Sequence, residues 1–123
     1  MKTTFKVRLS EADAHYADHL VSGAKVLEFF GDAATELLIR HDGDEGYFRA
    51  YEDVEFLAPV RSGDFLEIEA EIIKVGNSSR QMQFSAKKII EATPSAQNPH
   101  AATLLKDPVL CVKATGTCVV VKN

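Results

Sequence analysis

A chain of 123 residues, 46% hydrophobic, 26% charged and without tryptophan, fits one globular domain over residues 1–123 and leaves no room for a second core. Fourteen basic against 18 acidic residues give a net charge of −4, which repels polyphosphate and argues against sequence-independent nucleic-acid binding. The longest apolar runs, such as Val119 to Val121, fall far short of the roughly 20 residues of a membrane span, and no signal-peptide segment opens the chain, so a cytoplasmic protein is expected.

Residues 4 to 9 alternate apolar and polar, as in a short half-buried strand. Residues 10 to 22 hold two His, a Tyr and several carboxylates without a sustained period, which predicts a loop with one helical turn capped by Ser10 and Asp13. From Gly23 to about Arg40, Val26, Leu27, Phe30, Ala33, Ala34, Leu37 and Leu38 recur at spacings of three and four, the mark of an amphipathic helix. Ser22 supplies its N-cap; Arg40, His41 and Gly43 supply its cationic end and stop. Gly31, in mid-helix, is expected to mark the close approach of another backbone.

Everything beyond reads as strand. Tyr47 to Leu57 places Phe48, Ala50, Val54 and Phe56 at one parity, and Phe65 to Lys74 sets Leu66, Ile68, Ala70 and Ile72 against Glu67, Glu69 and Glu71. After a turn at Gly76 to Ser79, Arg80 to Ala92 points Met82, Phe84 and Ala86 inward, and Val109 to Lys122 forms a last long strand. Between them, residues 93 to 108 carry three prolines and read as a mobile loop. Cys111 and Cys118, on one strand, would lie roughly 23 Å apart, too far for a bridge and without a metal-site spacing. They read as free buried thiols. One long helix and several antiparallel strands, each wet on one face, give α+β architecture with the helix covering a single curved sheet.

The run Phe56 to Asp64 with its Pro59-Val60-Arg61-Ser62-Gly63-Asp64 turn, followed by an alternating strand and Val75-Gly76-Asn77-Ser78-Ser79, resembles the hotdog-fold acyl-CoA enzymes, in which an antiparallel sheet wraps a long central helix. Upstream, Asp13-Ala14-His15-Tyr16, Leu20-Val21, Gly23-Ala24, Gly31-Asp32 and Thr35-Glu36-Leu37 together resemble the β-aminoacyl-CoA ammonia lyases of amino-acid-fermenting anaerobes, which act on β-alanyl-CoA or 3-aminobutyryl-CoA. That resemblance implies no cofactor beyond the CoA of the substrate, no metal, and a homo-oligomer built from hotdog dimers. The partners it implies are an acyl-CoA and ammonia.

Eliminating ammonia from a 3-aminoacyl thioester needs a base for the α-proton, stabilisation of an enolate-like oxygen, and a partner for the amine. Asp32 and Glu36, spaced i,i+4, share one helix face opposite the apolar stripe, where an isolated domain would leave both simply solvated. The resemblance gives them a dimer partner instead, and with it a catalytic role, with His15 as an orienting or proton-shuttling group and Tyr16 beside it. Gly23 and Ala24 open the helix, where unpaired N–H groups and the positive dipole end would receive an oxyanion. Asn77, Ser78, Ser79 and Arg80 sit where hotdog enzymes commonly receive CoA, while Lys87 and Lys88 read as surface cations. An acyl-CoA thioesterase using the same carboxylates is the competing activity, and a non-catalytic acyl-CoA sensor a third. Glu36 and the Asp13 to Tyr16 block favour the lyase.

Overall fold

The computed structural model describes residues 1–121. Five strands, β1 (Lys2–Arg8), β2 (Tyr47–Phe56), β3 (Phe65–Val75), β4 (Ser79–Ala92) and β5 (Ala102–Val119), form one antiparallel sheet in the order β1-β3-β4-β5-β2. Helix α1 (Gly23–Asp42) lies across it, and the expected end of the last strand at Lys122 falls outside the described residues. Ser22 caps the helix by accepting from the Ala24 N–H, and Gly43, left-handed at φ 68°, ends it by returning its N–H to the Ile39 carbonyl. The helix is not apolar enough to cross a membrane.

Val26, Phe30, Ala33, Ala34, Leu37 and Leu38 form the buried stripe of α1. They meet the inward rows of β3 (Leu66, Ile68, Ala70) and β4 (Met82, Phe84, Ala86), all buried as the alternation predicts. At the centre, the Phe30 ring stacks on Phe84 at 5.2 Å, and Phe48 reaches Phe84 at 5.6 Å from the edge strand β2. The opposite faces of β3 and β4 stay accessible, with Glu69 paired to Lys2 across the β1–β3 ladder, whereas β5 is buried on both faces over Thr117, Cys118 and Val119.

Two readings change. Along β2 the register against β5 shifts between Phe48 and Ala50 and again between Tyr51 and Asp53, so Phe48, Tyr51 and Val54 pack on the core at spacings of three. Each bulge inserts a residue and flips the parity that strict alternation assumed. The segment 93–108 is not a loop throughout: Ala92 pairs with Ala102, and β5 has already begun there. Only 93–101 connects the strands, and its turn is bonded through Asn98 N–H to Ser95 Oγ and Ser95 N–H to the Asn98 carbonyl, both 3.0 Å. Pro108 sits where pairing jumps from Lys88–Val109 to Ile90–Leu104, a stretch in which a missing N–H breaks no ladder bond.

Candidate active site

The segment 10–22 is fastened before it reaches the helix. Its turn, Glu11–Asp13, is closed by the Ser10 N–H donating to Asp13 Oδ2 at 2.7 Å, the capping arrangement expected of Ser10 and Asp13. Ala14 then pairs with Val21, and Leu20 with Arg61. The Val21 N–H reaches the Val60 carbonyl at 2.9 Å and the Ser62 N–H the His19 carbonyl at 3.0 Å. The excursion 15–20 is thus stitched to the turn 60–62, and Asp18 and His19 take positive φ (59° each) to make it. His15 and Tyr16 are exposed at its tip, their rings edge to face at 4.7 Å.

A groove of about 580 Å³ opens between this stitched segment and the end of β2, lined by Tyr16, Leu20, Gly23, Ala24, Phe56 and Pro59 with Val26, Val60 and Val112 at its base. Its size and mostly apolar walls suit a small acyl or pantetheine-like chain. The helix N-terminus forms one wall. Of the two expected oxyanion donors, Ala24 N–H is taken by its own cap, Ser22 Oγ, at 3.1 Å. Gly23 N–H has no partner among the described residues. Gly23 leaves room here: a methyl group at that position would overlap the Phe56 ring, which lies against the first turn and would have to turn aside.

Asp32 and Glu36 occur on the exposed face of α1, but their surroundings differ. Asp32 is exposed and makes no hydrogen bond or ion pair among the described residues. Glu36 is not simply solvated: its Oε2 accepts from Thr3 Oγ1 on β1 at 2.7 Å and lies 2.9 Å from Arg40 Nε. Among the described residues nothing beyond the helix itself lies within 4 Å of a Cβ added at Gly31, so the close backbone approach expected there is not found within the chain.

Arg80 departs from its expected CoA role. Only 2% exposed, it forks onto Asp42 at the helix end, Nε to Oδ2 at 2.9 Å and Nη2 to Oδ1 at 2.8 Å. Its Nη1 donates to the Gly76 and Ser79 carbonyls at 3.0 and 2.9 Å. The guanidinium is committed inward because its strand position faces the core, and Asp42 in turn holds it charged by raising its pKa further. What remains open at that turn is the Asn77 and Ser78 side chains, both residues exposed, while the Ser78 carbonyl accepts from the Val120 N–H at 2.9 Å and Ser79 is half-buried with its carbonyl used. Lys88, read as a surface cation, is 5% exposed and 3.2 Å from the buried Asp64. Asp64 also accepts from the Arg61 and Ala92 N–H groups at 2.8 and 2.9 Å, which pins the 60–64 turn to β4. Both buried pairs escaped the sequence reading because each charge's partner lies far along the chain.

Distance along α1 orders these pieces. At about 1.5 Å per residue, Asp32 lies roughly 14 Å from Gly23, and the Asn77–Ser78 turn, tied to Asp42, roughly 28 Å from it. No single protomer brings the groove, the carboxylates and that turn together.

Residues 19–88 match the Thioesterase superfamily. Over 123 residues, the whole of this chain and 97% of the relative, the sequence is 50% identical to 3-aminobutyryl-CoA ammonia lyase of Acetoanaerobium sticklandii. The solved β-alanyl-CoA:ammonia lyase of Clostridium propionicum superposes with a TM-score of 0.93 at 40% identity, covering 98% of this chain and 85% of that one. The chain belongs to the β-aminoacyl-CoA ammonia lyases. Within that family's hotdog architecture α1 is the central helix and the five strands are its wrapping sheet. A hexameric hotdog-fold thioesterase of Campylobacter jejuni shares the fold alone, at 17% identity and a TM-score of 0.72 over 96% of this chain and 81% of its own. This ammonia-lyase chain therefore keeps the superfamily scaffold while its sequence sides with the lyases along its whole length.

Proposed function

We propose that the protein reversibly eliminates ammonia from a 3-aminoacyl-CoA, 3-aminobutyryl-CoA or β-alanyl-CoA, to give the 2-enoyl-CoA, as a step of amino-acid fermentation in the cytoplasm. The observation that carries this is the 50% identity, end to end, with a 3-aminobutyryl-CoA ammonia lyase. In support, the two carboxylates the reaction needs stand on the helix face left bare by the core, and two buried free thiols suit a reducing compartment.

The site forms between two copies of the chain. A two-fold axis beside α1 would set one helix antiparallel to its partner, bringing the N-terminal groove of one copy toward the carboxylates and the Asn77–Ser78 turn of the other. Ile39, 48% exposed, lies on the same face as Asp32 and gives it apolar area to bury. There Asp32 and Glu36 divide the work of accepting the α-proton and holding the ammonium. The Gly23 N–H meets the thioester oxygen at the positive end of the helix dipole. His15 approaches from the stitched segment to orient a carboxylate or relay its proton. Asn77 and Ser78, with Ser79 and Arg80 shaping their turn, receive the CoA.

The test is incubation with crotonyl-CoA or acryloyl-CoA and ammonium, following enoyl absorbance together with free thiol. Loss of the enoyl signal and a product one ammonia heavier is expected; thiol release in its place would make the protein a thioesterase. Asp32→Asn and Glu36→Gln are each expected to lower turnover at least about 100-fold with the fold intact. Near-normal rates in both would leave the helical pair as solvated surface.

A further inference from the structure

The helix-facing row of β1 reads Thr3, Phe5, Val7, and its one polar member is only 7% exposed. A hydroxyl in such a place needs a partner, and Thr3 Oγ1 finds it in Glu36 Oε2 at 2.7 Å. Arg40 Nε, one helical turn beyond Glu36, meets the same oxygen at 2.9 Å. Glu36 Oε1 has no partner among the described residues. A carboxylate gripped through one oxygen from two directions no longer turns freely, and its second oxygen points one way.

We propose that Thr3 and Arg40 are positioning residues for the elimination: they clamp Glu36 by Oε2 and reserve Oε1 as the base for the substrate α-proton. This rests on the lyase reading above. As the α-C–H bond breaks, its proton passes to Oε1 and its electron pair moves onto the thioester as an enolate. That pair then returns to form the α,β carbon–carbon π bond as the C–N bond breaks, the C–N pair leaves on nitrogen, and the departing ammonia takes the proton from Glu36 as ammonium. Charge and atoms balance without a further reactant, and Asp32, with no ties among the described residues, is left to face the ammonium. Of the two clamps Thr3 is the firmer, because Arg40 is 59% exposed and its pull is screened by water.

Thr3→Val keeps the shape and inward packing of the side chain and removes only the donor. With crotonyl-CoA and ammonium it should lower kcat about 10- to 100-fold, the effect of losing a hydrogen bond to a charged group, with KM for the thioester near the wild-type value. Thr3→Ser should restore most of the rate. If Thr3→Val melts lower yet turns over like the wild type, Thr3 is only a staple between helix and sheet and the clamp is refuted. The underlying reading fails separately: an active Glu36→Gln removes Glu36 from the chemistry, whereas an inactive Glu36→Gln beside a fully active Thr3→Val removes the clamp alone.

Discussion

Arg80 and Lys88 show what a single position can conceal. Both occur on β4 at positions that face inward, and each is buried against a carboxylate supplied by another element, Asp42 and Asp64. Breaking such a pair takes the guanidinium from a buried carboxylate that keeps only its weaker contacts, His41 Nδ1 at 3.0 Å among them, so Arg80→Leu should lower unfolding free energy by about 3 kcal/mol in urea titration. A loss under about 1 kcal/mol would mean that the other contacts of Asp42 suffice to hold its charge. Composition does not reveal these residues, because a cation in a strand looks the same whether its side chain is wet or paired. Alternation did reveal Leu66, Ile68 and Ala70, since there solvent on one face and core on the other write the pattern directly into neighbouring residues. Glu36 fell between the two cases: its spacing from Asp32 was visible, but its tie to Thr3 spans 33 residues and was not.

At the level of elements, the helix was the most legible because its start and stop signals are local. Ser22 and Gly43 act where the sequence placed them, and the last helical residue moved only from Arg40 to Asp42. Ser22→Ala removes the side-chain acceptor of the Ala24 N–H and should lower stability by about 1 kcal/mol, read as a fall in the urea midpoint with an unchanged slope. An unchanged midpoint would show that water replaces the cap at no loss. Strand β2 was less legible, for its two bulges shift the inward set to Phe48, Tyr51 and Val54. The proline-rich segment before Val109 misled for a related reason: Pro108 signals a loop by composition, yet its place in β5 demands no donor.

For the molecule as a whole, the alkaline limit of stability follows from two groups on the paired strands β2 and β5. Burial, with Glu52 nearby, pushes the Cys118 thiol up from 9.0 to about 11. Burial also pushes the Tyr51 phenol from 10.0 to about 12, with Cys118 adding to it. Both groups hold their protons more tightly folded than unfolded. Their contribution is therefore complete below pH 9 and is lost as pH climbs through about 11 for the thiol and about 12 for the phenol. The urea midpoint should fall between pH 9 and 12. Tyr51→Phe should fall less steeply over the upper part of that range. Parallel slopes for variant and wild type would show that the phenol ionises without opening the core.

The segment carrying His15 and Tyr16 is held to the 60–62 turn through main-chain groups: Val21 N–H to the Val60 carbonyl, Ser62 N–H to that of His19, and the Leu20–Arg61 bridge. Peptide bonds do not depend on which side chains they carry. Tyr16 and Leu20, which look into the groove, can therefore be exchanged without loosening the frame that presents them. On the proposed reading of the groove as the acyl site, such an arrangement would let a lineage move from one acyl chain to another by small steps, with these two positions as the starting point for redesigning substrate range.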